Sequence, residues 1–238
     1  MNIIVTGASS GIGYQTVMEL AITNEHSIVV ISRSKASLEN LKAEVESTTK
    51  SKVHVINFDL GSNDFSKLFI EIDNCFQLSN GNFVDILINN AGYLVNKPFA
   101  ELTMDDWQKS FDVNLFGSVK LIKILFPHFN RKETSHIVNI SSMGGVQGTI
   151  KFPGLSAYSS SKASVNVLTE SLAAEFENEN IRTNALSLGA VQTEMLNKAF
   201  PDYKAPVTAN QMGHYIADFA LNGHKLMNGR IIQVSLSG

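Results

Sequence analysis

Tyr158 and Lys162 lie four residues apart in the serine-rich stretch SAYSSSKAS, residues 156–164. The apolar residues that follow recur at helical spacing, and a helix places residues four apart on one face. A phenol has a pKa of about 10, which must fall by about 3 units for proton exchange near neutrality. A lysine ammonium one turn away favours the phenolate and lowers that pKa. The same spacing occurs in ordinary polar helix starts, so the pair needs support from other motifs.

A glycine-rich turn follows the first apolar segment of the chain. In TGASSGIG, residues 6–13, glycines occupy positions 7, 11 and 13. Glycine lets the backbone turn tightly and approach a phosphate, whose charge is favoured at the start of a helix. The motif therefore predicts a site for the pyrophosphate of a dinucleotide. Turns between strands and helices also use glycine without any ligand, and that structural role is the alternative.

The end of the second apolar segment, VVISRSK, indicates which dinucleotide would bind. Folds of this kind place Asp or Glu there for the adenosine ribose, or a basic residue for a 2′-phosphate. Here the chain has Ser32 and Arg33, with Lys35 close behind. An arginine can hold a phosphate through charge-assisted hydrogen bonds. The sequence favours NADP(H) over NAD(H), and a solvated arginine at a strand end is the alternative.

Two further polar motifs end apolar segments. NNAG, residues 89–92, contains two asparagines whose amides can tie neighbouring loops together, and its glycine permits close approach to a ligand. A turn that merely terminates a strand would look the same. The second motif, NISS, ends at Ser142.

The elements that must position these residues alternate between strands and helices. Short apolar runs predict buried parallel strands at residues 2–6, 27–32, 52–58, 84–90, 136–141, 182–188 and 230–236. Amphipathic runs between them predict helices that include residues 13–23, 35–47, 106–129 and 163–177. This order predicts a single-domain α/β Rossmann fold over residues 1–238, with a doubly wound, seven-stranded parallel sheet and helices on both faces. All strands then end at one edge, where ligands bind.

The composition excludes several classes of protein. The 238 residues carry a net charge of −3, which gives no electrostatic case for nucleic acid or an anionic membrane. No apolar run approaches the ~20 residues of a membrane helix. Six scattered histidines form no metal-ligand spacing, so no metal site is predicted. The single cysteine, and a first strand that begins at residue 2, lead us to expect a cytoplasmic protein.

Together the motifs resemble the short-chain dehydrogenase/reductase family over essentially the whole chain. The resemblance rests on TGASSGIG, NNAG, FDVNLFG, IVNISS, YSSSK and IRTNALSLGAVQTEM, which are individually loose and specific in this order. It implies that Tyr158 is the general acid or base and that Lys162 holds the nicotinamide ribose and lowers the pKa of the tyrosine. Ser142, rather than Ser141, would hydrogen-bond the reacting oxygen, and Asn114 would hold a water on a proton path to Lys162.

The resemblance also implies a set of cofactor contacts. The turn with Ser10 and Ile12 would hold the pyrophosphate, Asp59 would meet the adenine, Asn89 would lie beside the adenosine ribose, and Thr193 would reach the nicotinamide carboxamide. The full predicted set, besides Tyr158 and Lys162, is Gly7, Ser9, Ser10, Gly11, Ile12, Gly13, Ser32, Arg33, Asp59, Leu60, Asn89, Ala91, Gly92, Gly189, Val191 and Thr193.

Two departures from the family pattern bear on the substrate, and a third bears on the usual subunit contacts. Residues 149–151 resemble an insertion in the loop over the substrate, which affects specificity more than catalysis. The segment after Thr193 is short, which predicts a small lid and a relatively open site. The tail GRIIQVSLSG lacks the acidic residue and paired glycines common near the end of family members.

The resulting expectation is an NADP-dependent carbonyl reductase or alcohol dehydrogenase with a small-molecule substrate. A 3-oxoacyl-[acyl-carrier-protein] reductase, with an acyl thioester substrate, is a specific assignment within that class. A non-catalytic NADP-binding sensor or scaffold on the same fold is the alternative, although it would be expected to lack the tyrosine, lysine or serine. The resemblance also implies a homodimer or homotetramer that pairs the helices at residues 103–129 and 157–178.

Overall fold

Strands and helices alternate along residues 1–236, the part of the chain that this computed structural model describes. The strands are β1 Asn2–Thr6, β2 Ser27–Ser32, β3 Lys52–Asn57, β4 Ile86–Asn89, β5 Ser135–Ser142, β6 Ile181–Leu188, β7 Val191–Gln192, β8 Val207–Thr208 and β9 Ile231–Val234. The α-helices are α1 Gly11–Thr23, α2 Lys35–Thr48, α3 Phe65–Phe76, α4 Met104–Phe111, α5 Gly117–Leu125, α6 Ser156–Glu175, α7 Glu194–Ala199 and α8 Ala209–Asn222.

Seven strands form one parallel sheet in the order β3-β2-β1-β4-β5-β6-β9. The strand order reverses between β1 and β4, so the loops that follow these two strands diverge and leave a crevice at the carboxyl edge of the sheet. The predicted single-domain α/β fold is confirmed, because the first and last strands belong to the same sheet. Residues 237 and 238 of the predicted domain range lie outside the described residues.

Helices cover both faces of the sheet. Alternate residues of β1 face opposite sides: Ile3 and Val5 pack with apolar residues of α1, α2 and α8, whereas Ile4 packs with residues of α3 and α5. All three side chains are fully buried. Complete burial of a Val or Ile side chain contributes about 1.5–3 kcal/mol, so the two cores hold the carboxyl edges of the strands in register.

The segment predicted as one long helix over residues 106–129 is divided into two helices. α4 begins with a capping box in which the Thr103 side chain accepts from the Asp106 backbone N–H and the Asp106 side chain accepts from that of Thr103. A five-residue π turn, residues 112–116, separates α4 from α5. Such turns widen a helix locally and often mark functional positions. This one contains the buried Asn114.

The remaining elements lie beyond β6. β7 and β8 pair as a small separate parallel sheet, and α7 lies between them, so residues 191–208 form a short segment beside the carboxyl edge. α6 packs on β5 and β6. Within residues 1–236, no helix combines the length and hydropathy needed to cross a bilayer.

Candidate active site

A cavity of about 670 Å³ opens at the carboxyl edge of the sheet, within the size range of small-molecule and cofactor sites. Eighteen of the twenty predicted site residues lie on its wall. These are Gly7, Ser9, Ser10, Gly11, Ile12, Gly13, Ser32, Arg33, Asp59, Leu60, Ala91, Gly92, Ser142, Tyr158, Lys162, Gly189, Val191 and Thr193. Asn89 and Asn114 are not among the wall residues.

The glycine turn after β1 needs glycine for its conformation and its packing. Gly7 has φ +68° and Gly11 has φ +57°, both in the left-handed region. A Cβ on Gly7 would lie 2.7 Å from the Cα of Ala91, which is too close for any side chain. The turn therefore packs directly against the loop that follows β4.

The amide that ties this turn to the β4 loop belongs to Asn90. Its Nδ2 donates to the carbonyl oxygens of Thr6 (3.0 Å) and Gly7 (3.2 Å). The Thr6 hydroxyl in turn accepts from the backbone N–H groups of Asn90 and Ala91, each at 3.0 Å. These bonds fix the two sides of the crevice to each other. Asn90 also lines the cavity.

Asn89 lies in the interior instead of on the cavity wall. It is buried, and its Nδ2 donates to Asn139 Oδ1 of the neighbouring strand at 2.9 Å. Successive residues at a strand end point to opposite sides, so only one of the two adjacent asparagines can reach the crevice. The placement of Asn89 beside an adenosine ribose is therefore corrected: the neighbouring Asn90 is the asparagine on the wall.

The start of α1 presents backbone donors to the cavity. Ser10 is the N-cap residue, and its side chain makes no capping hydrogen bond. The first N–H groups of a helix have no partner within the helix, and the helix dipole makes this end attractive to anions. Ser9, Ser10, Gly11 and Ile12 all line the cavity here. The turn and helix start thus form a cradle suited to a pyrophosphate.

Arg33 stands at the far end of this cradle, after β2. It is exposed and lines the cavity. Asn57 fixes the local backbone by donating to the carbonyl oxygens of Ser32 (3.1 Å) and Arg33 (2.8 Å). Asp59 also lines the cavity, and its Oδ1 accepts from the Gly61 N–H at 2.9 Å. Among the described residues, Asp59, which follows β3, is therefore the only acidic residue on this part of the wall. The residue that follows β2, Arg33, is basic.

Tyr158 and Lys162 lie on the first turns of α6, at the other end of the cavity. Lys162 is buried, and its Nζ donates to the Ile140 carbonyl oxygen at 2.8 Å. The same Nζ lies 5.9 Å from the centroid of the Tyr158 ring. The predicted juxtaposition of phenol and amine is thus present, and both groups face the cavity.

The pKa values of this pair are governed by burial. Desolvation raises the pKa of Tyr158, and a hydrogen bond with the Ser142 side chain opposes that rise. Desolvation also lowers the pKa of Lys162 to about 8. The sequence predicts that Lys162 lowers the pKa of the phenol, whereas in this structure desolvation raises the pKa of Tyr158. A buried phenol keeps its proton and a buried amine loses its proton more readily.

Ser141 and Ser142 are adjacent on β5 but make different contacts. The Ser141 hydroxyl is buried and donates to the Lys162 carbonyl oxygen at 3.0 Å, which ties β5 to α6. Ser142 is only partly buried, and its Oγ accepts from the Gly144 N–H at 3.2 Å. Ser142 lines the cavity together with Tyr158, and its hydrogen bond to a substrate oxygen stays a prediction.

Asn114 joins the β4 loop to α6 from within the π turn. Its Oδ1 accepts from the Tyr93 N–H at 2.7 Å, and its Nδ2 donates to the Tyr93 carbonyl oxygen (2.9 Å) and Ser161 Oγ (2.8 Å). Both N–H groups of its amide are thus committed to the protein. The structure gives this side chain a positioning role, and the water path assigned to Asn114 stays a prediction.

The last predicted residues follow β6. The Gly189 N–H donates to the Val234 carbonyl oxygen at 2.9 Å, which holds this loop against β9. The Thr193 hydroxyl caps α7 by accepting from the Leu196 N–H at 3.2 Å. Thr193 also lies against Gly11, where an added Cβ would be 3.4 Å from its methyl carbon. The segment after β7 therefore borders the glycine turn.

Sequence reasoning missed two kinds of wall residue. Asn90 could have been found from NNAG, because either asparagine of that motif could tie the loops. The apolar residues contributed by the loop after β5 and by the segment after β7, such as Phe152 and Phe200, carried no signal. Loops of this kind have no hydrophobic periodicity, so their side chains are placed by tertiary contacts alone.

Comparisons with known proteins concern the family and the fold. Residues 1–204 match the family model of the short chain dehydrogenases. The chain is 33% identical over 197 residues to mouse dehydrogenase/reductase SDR family member 7B, covering 81% of this chain and 58% of the mouse protein. It is 31% identical over 224 residues to human retinol dehydrogenase 8, covering 92% of this chain and 69% of that protein. The chain thus spans less than two thirds of the mouse relative.

The fold also matches solved structures. The L-sorbose reductase of Gluconobacter frateurii, solved with NADPH and L-sorbose, superimposes with a TM-score of 0.83 at 21% identity, covering 98% of this chain and 94% of that one. That likeness concerns the fold, whereas the family match and the two relatives concern the sequence. On these grounds the chain belongs to the short-chain dehydrogenase/reductase family.

Proposed function

We propose that the protein is an oxidoreductase that transfers a hydride between NADP(H) and the carbonyl carbon of a small molecule, or its secondary alcohol. One observation carries the proposal: Tyr158, Ser142 and Lys162 converge at one end of a cavity whose other end is an anion cradle. A polar cradle alone would suit many ligands. A phenol and a hydroxyl hydrogen-bonded to each other in front of a buried amine suit proton transfer to an oxygen.

The wall residues fit an NADP-type dinucleotide. The backbone donors at the start of α1 suit a pyrophosphate, and Gly7 leaves no room for a side chain between the turn and the β4 loop. Arg33 offers a guanidinium where a 2′-phosphate would need one, and L-sorbose reductase, a structural neighbour, was solved with NADPH. When bound, NADP(H) would supply or accept the hydride. NAD(H) is the alternative cofactor.

The residues of the chain would handle the proton and the oxygen. Ser142 and Tyr158 would both donate hydrogen bonds to a carbonyl oxygen, which polarises the carbonyl group and holds it in place. The raised pKa of Tyr158 keeps its phenol protonated, so the resting side chain is an acid ready for reduction. Lys162, with a pKa of about 8, would replace the lost proton near neutral pH. In the oxidative direction the same groups would accept the proton in reverse order.

The proposal is tested by following NADPH oxidation with a panel of ketones, aldehydes and 3-oxoacyl thioesters. We expect turnover with at least one class, and we expect Tyr158→Phe to reduce it by roughly 10³-fold, since general acid catalysis contributes 10²–10⁴-fold. Tyr215→Phe is a matched control, because Tyr215 lies on α8 and does not line the cavity. Turnover that is unchanged in Tyr158→Phe would contradict the catalytic assignment.

The choice of cofactor rests on Arg33 and is tested separately. We expect Arg33→Ala to weaken NADPH binding by about tenfold or more while leaving NADH binding almost unchanged, because only NADPH carries the 2′-phosphate. Lys50→Ala controls for loss of surface charge, since Lys50 is exposed and paired with Glu25 away from the cavity. Equal loss for both nucleotides would contradict an NADP-specific role.

Two finer assignments remain within reach of the same experiments. A 3-oxoacyl-[acyl-carrier-protein] reductase is supported by the apolar side of the cavity, which suits an acyl chain, and thioesters are therefore included in the panel. A non-catalytic NADP-binding sensor would bind NADPH without turnover of any carbonyl. The hydrogen bond between Ser142 and Tyr158, with Lys162 behind them, argues for an enzyme, since binding alone needs no such pair.

We further propose a homodimer or homotetramer that pairs the helices at residues 103–129 and 157–178. A row of aromatic side chains runs along residues 99–116, with ring contacts from Phe99 through Trp107 and Phe111 to Phe116. Phe99 is 73% exposed and Met104 is 79% exposed. Contiguous exposed apolar groups of this kind mark interaction surfaces. Light scattering is expected to give a multiple of the 26.0 kDa chain, and a mass equal to one chain would contradict the proposal.

A cytoplasmic location is also proposed. It is supported by the single cysteine, Cys75, whose half-buried thiol has a pKa raised by burial and is thus a weak nucleophile. Fractionation of cells that express the tagged protein tests this location, and recovery in a membrane fraction would contradict it.

A further inference from the structure

The cavity wall changes character beyond Tyr158. The side formed by the glycine turn and by Arg33 is polar, as a dinucleotide site requires. The opposite side is formed by three segments: the loop after β4, the loop after β5 and the segment that contains α7. Most of its large side chains are apolar, whereas Tyr93 and Tyr203 each add a phenol. The apolar ones include Leu94, Met143, Ile150, Phe152, Met195 and Phe200.

These three segments are joined to one another. The rings of Phe152 and Phe200 meet edge to face, with centroids 6.3 Å apart, and so connect the loop after β5 with the end of α7. The Lys97 N–H donates to the Gly154 carbonyl oxygen at 3.1 Å, and Asn96 Nδ2 donates to the Ala199 carbonyl oxygen at 2.8 Å. The loop after β4 is thus bonded to both other segments. The apolar wall is preformed, as ligand pockets usually are.

Among the described residues that form this side of the wall, Glu194 is the one charged side chain, and Lys151 lies outside the wall. Glu194 forms an ion pair with Lys198 at 2.6 Å. Lys151 Nζ donates to Thr149 Oγ1 at 2.7 Å and to the Thr149 carbonyl oxygen at 3.2 Å. Among the wall residues that the structure describes here, no charged side chain is left to bind a carboxylate, a phosphate or an ammonium group.

Apolar side chains at the rim remain open to solvent. Ile150 is 69% exposed and Phe152 is 58% exposed, although both line the cavity. Ile150 lies within residues 149–151, and Phe152 directly follows them. Exposed apolar groups around a concave site mark where an apolar ligand is buried. A ligand that covered them would gain the free energy of removing their surface from water.

We infer that the carbonyl group of the substrate carries an alkyl or aryl group of several carbons, and that Ile150, Phe152 and Phe200 select it. This inference rests on the proposed function and names its substrate class. A polyhydroxylated ketone is disfavoured, because most of its hydroxyl groups would lose water without gaining partners at this wall. The apolar wall therefore offers fewer hydrogen-bonding partners than a sugar such as L-sorbose would need.

The inference is tested with methyl ketones of increasing chain length, from 2-butanone to 2-nonanone, beside acetophenone and a ketose. We expect kcat/KM to rise by roughly fourfold for each added methylene over the first few, the factor that corresponds to burial of one CH₂ group. The ketose is expected to be the poorest substrate. In Ile150→Gln and Phe152→Gln the dependence of kcat/KM on chain length is expected to flatten.

Ile70→Gln is the matched control for Ile150→Gln. Ile70 is 58% exposed on α3 and does not line the cavity, so this variant is expected to retain the full dependence on chain length. Turnover of ketones with no dependence on chain length, or with a preference for the ketose, would overturn the inference and leave the proposed function intact.

Binding gives a second measurement that does not require turnover. Calorimetry with NADP⁺ present is expected to show binding of 2-nonanol, weakened in Ile150→Gln and Phe152→Gln, and no binding of a hexitol. If neither alcohol binds, or if both variants bind 2-nonanol as the wild type does, the apolar substrate class is wrong. Loss of all NADPH oxidation, with 2-nonanol still bound, would instead count against the proposed function alone.

Discussion

The two ends of β5 carry polar residues that do different things. Ser142, at the carboxyl end, lies beside Tyr158 and Lys162 on the cavity wall, whereas His136, at the amino end, lies in the fully buried interior. His136 Nδ1 donates to the Ala220 carbonyl oxygen at 2.9 Å, and its Nε2 accepts from Asn184 Nδ2 at 3.1 Å. Both ring nitrogens are therefore paired within the protein.

The difference lies in which polar groups still have bonding capacity. At the amino end the imidazole is satisfied as a neutral group, and burial lowers the pKa of His136 to about 4. At the carboxyl end Lys162 Nζ has three donors, and Ile140 supplies the one acceptor found for it among residues 1–236. A buried polar group with all partners present stabilises one structure, whereas one with unused donors facing a cavity can bind a ligand.

The largest effect is expected from Lys162→Met, which removes the buried amine. We expect turnover to fall by more than roughly 100-fold, since a polar group at the reacting centre typically contributes that much. We also expect stability at pH 7 to rise by about 2 kcal/mol. Charging a buried amine whose pKa is lowered to about 8 costs about 3 kcal/mol, and the lost hydrogen bond to Ile140 offsets about 1. Urea unfolding measures the stability change, and a less stable variant would contradict it.

The same group predicts how stability changes with pH in the alkaline range. The pKa of Lys162 is about 8 in the folded protein and near 10.5 when unfolded, so the unfolded chain binds more protons between these values. Wild-type stability should therefore gain from this group as pH rises from 8 to 10, whereas Lys162→Met should lack the gain. Unfolding curves of both proteins at pH 7.5 and pH 9.5 make the comparison, and parallel behaviour would refute it.

At the amino end, His136→Ala should destabilise the fold by about 3 kcal/mol with little change in kcat. The substitution leaves the Asn184 amide and the Ala220 carbonyl oxygen unpaired and opens a cavity between β5 and α8. Thermal unfolding and steady-state kinetics at a permissive temperature separate the two effects. If the variant kept its stability but had a much lower kcat, His136 would have a catalytic role instead of a structural one.

Acid should act on the same histidine. Its pKa is about 4 in the folded protein and about 6.5 when unfolded, so its contribution is complete above pH 6.5 and declines as pH falls toward 4. The loss can reach about 3 kcal/mol, and His26 and His224 add to it because burial lowers their pKa values too. We expect the wild type to lose more stability between pH 7 and pH 5 than His136→Ala, as measured by urea unfolding.

The smallest predicted effect separates the two adjacent serines. Ser141→Ala should cost about 1 kcal/mol of stability, because it removes the hydrogen bond to the Lys162 carbonyl oxygen, and should leave kcat within a few fold. Ser142→Ala should leave stability almost unchanged and lower kcat by roughly 100-fold. Unfolding and kinetic measurements on the pair distinguish these outcomes, and the reverse pattern would exchange the roles of the two serines.

Most of the fold was predictable because its strands are buried on both faces. The seven apolar runs correspond to the strands of the main sheet within two or three residues at each end. The division of the predicted helix over residues 106–129 was not visible in the sequence. A π turn preserves the apolar face on both sides of the inserted residue, so hydrophobic periodicity alone gives no signal for it.

The site was predictable where a residue type is demanded by the backbone or by chemistry. Gly7 must be glycine because its φ is +68° and the backbone of Ala91 is 2.7 Å from where a Cβ would be. Asn89 and Asn90 have the same side chain and adjacent positions, so composition could not tell which one reaches the cavity. The direction of the strand end decides that, and it is set by packing against β1 and β5.

The parallel sheet, the glycine cradle and the spacing of Tyr158 and Lys162 can be read from the sequence alone, because each follows from local periodicity or from a local conformational demand. Three features required the folded chain: burial raises the pKa of Tyr158, Asn114 is committed to Tyr93 and Ser161, and Phe152 meets Phe200. Desolvation and contact between distant segments depend on how the whole chain is packed. They are properties of the assembled carboxyl edge, to which residues far apart in sequence contribute together.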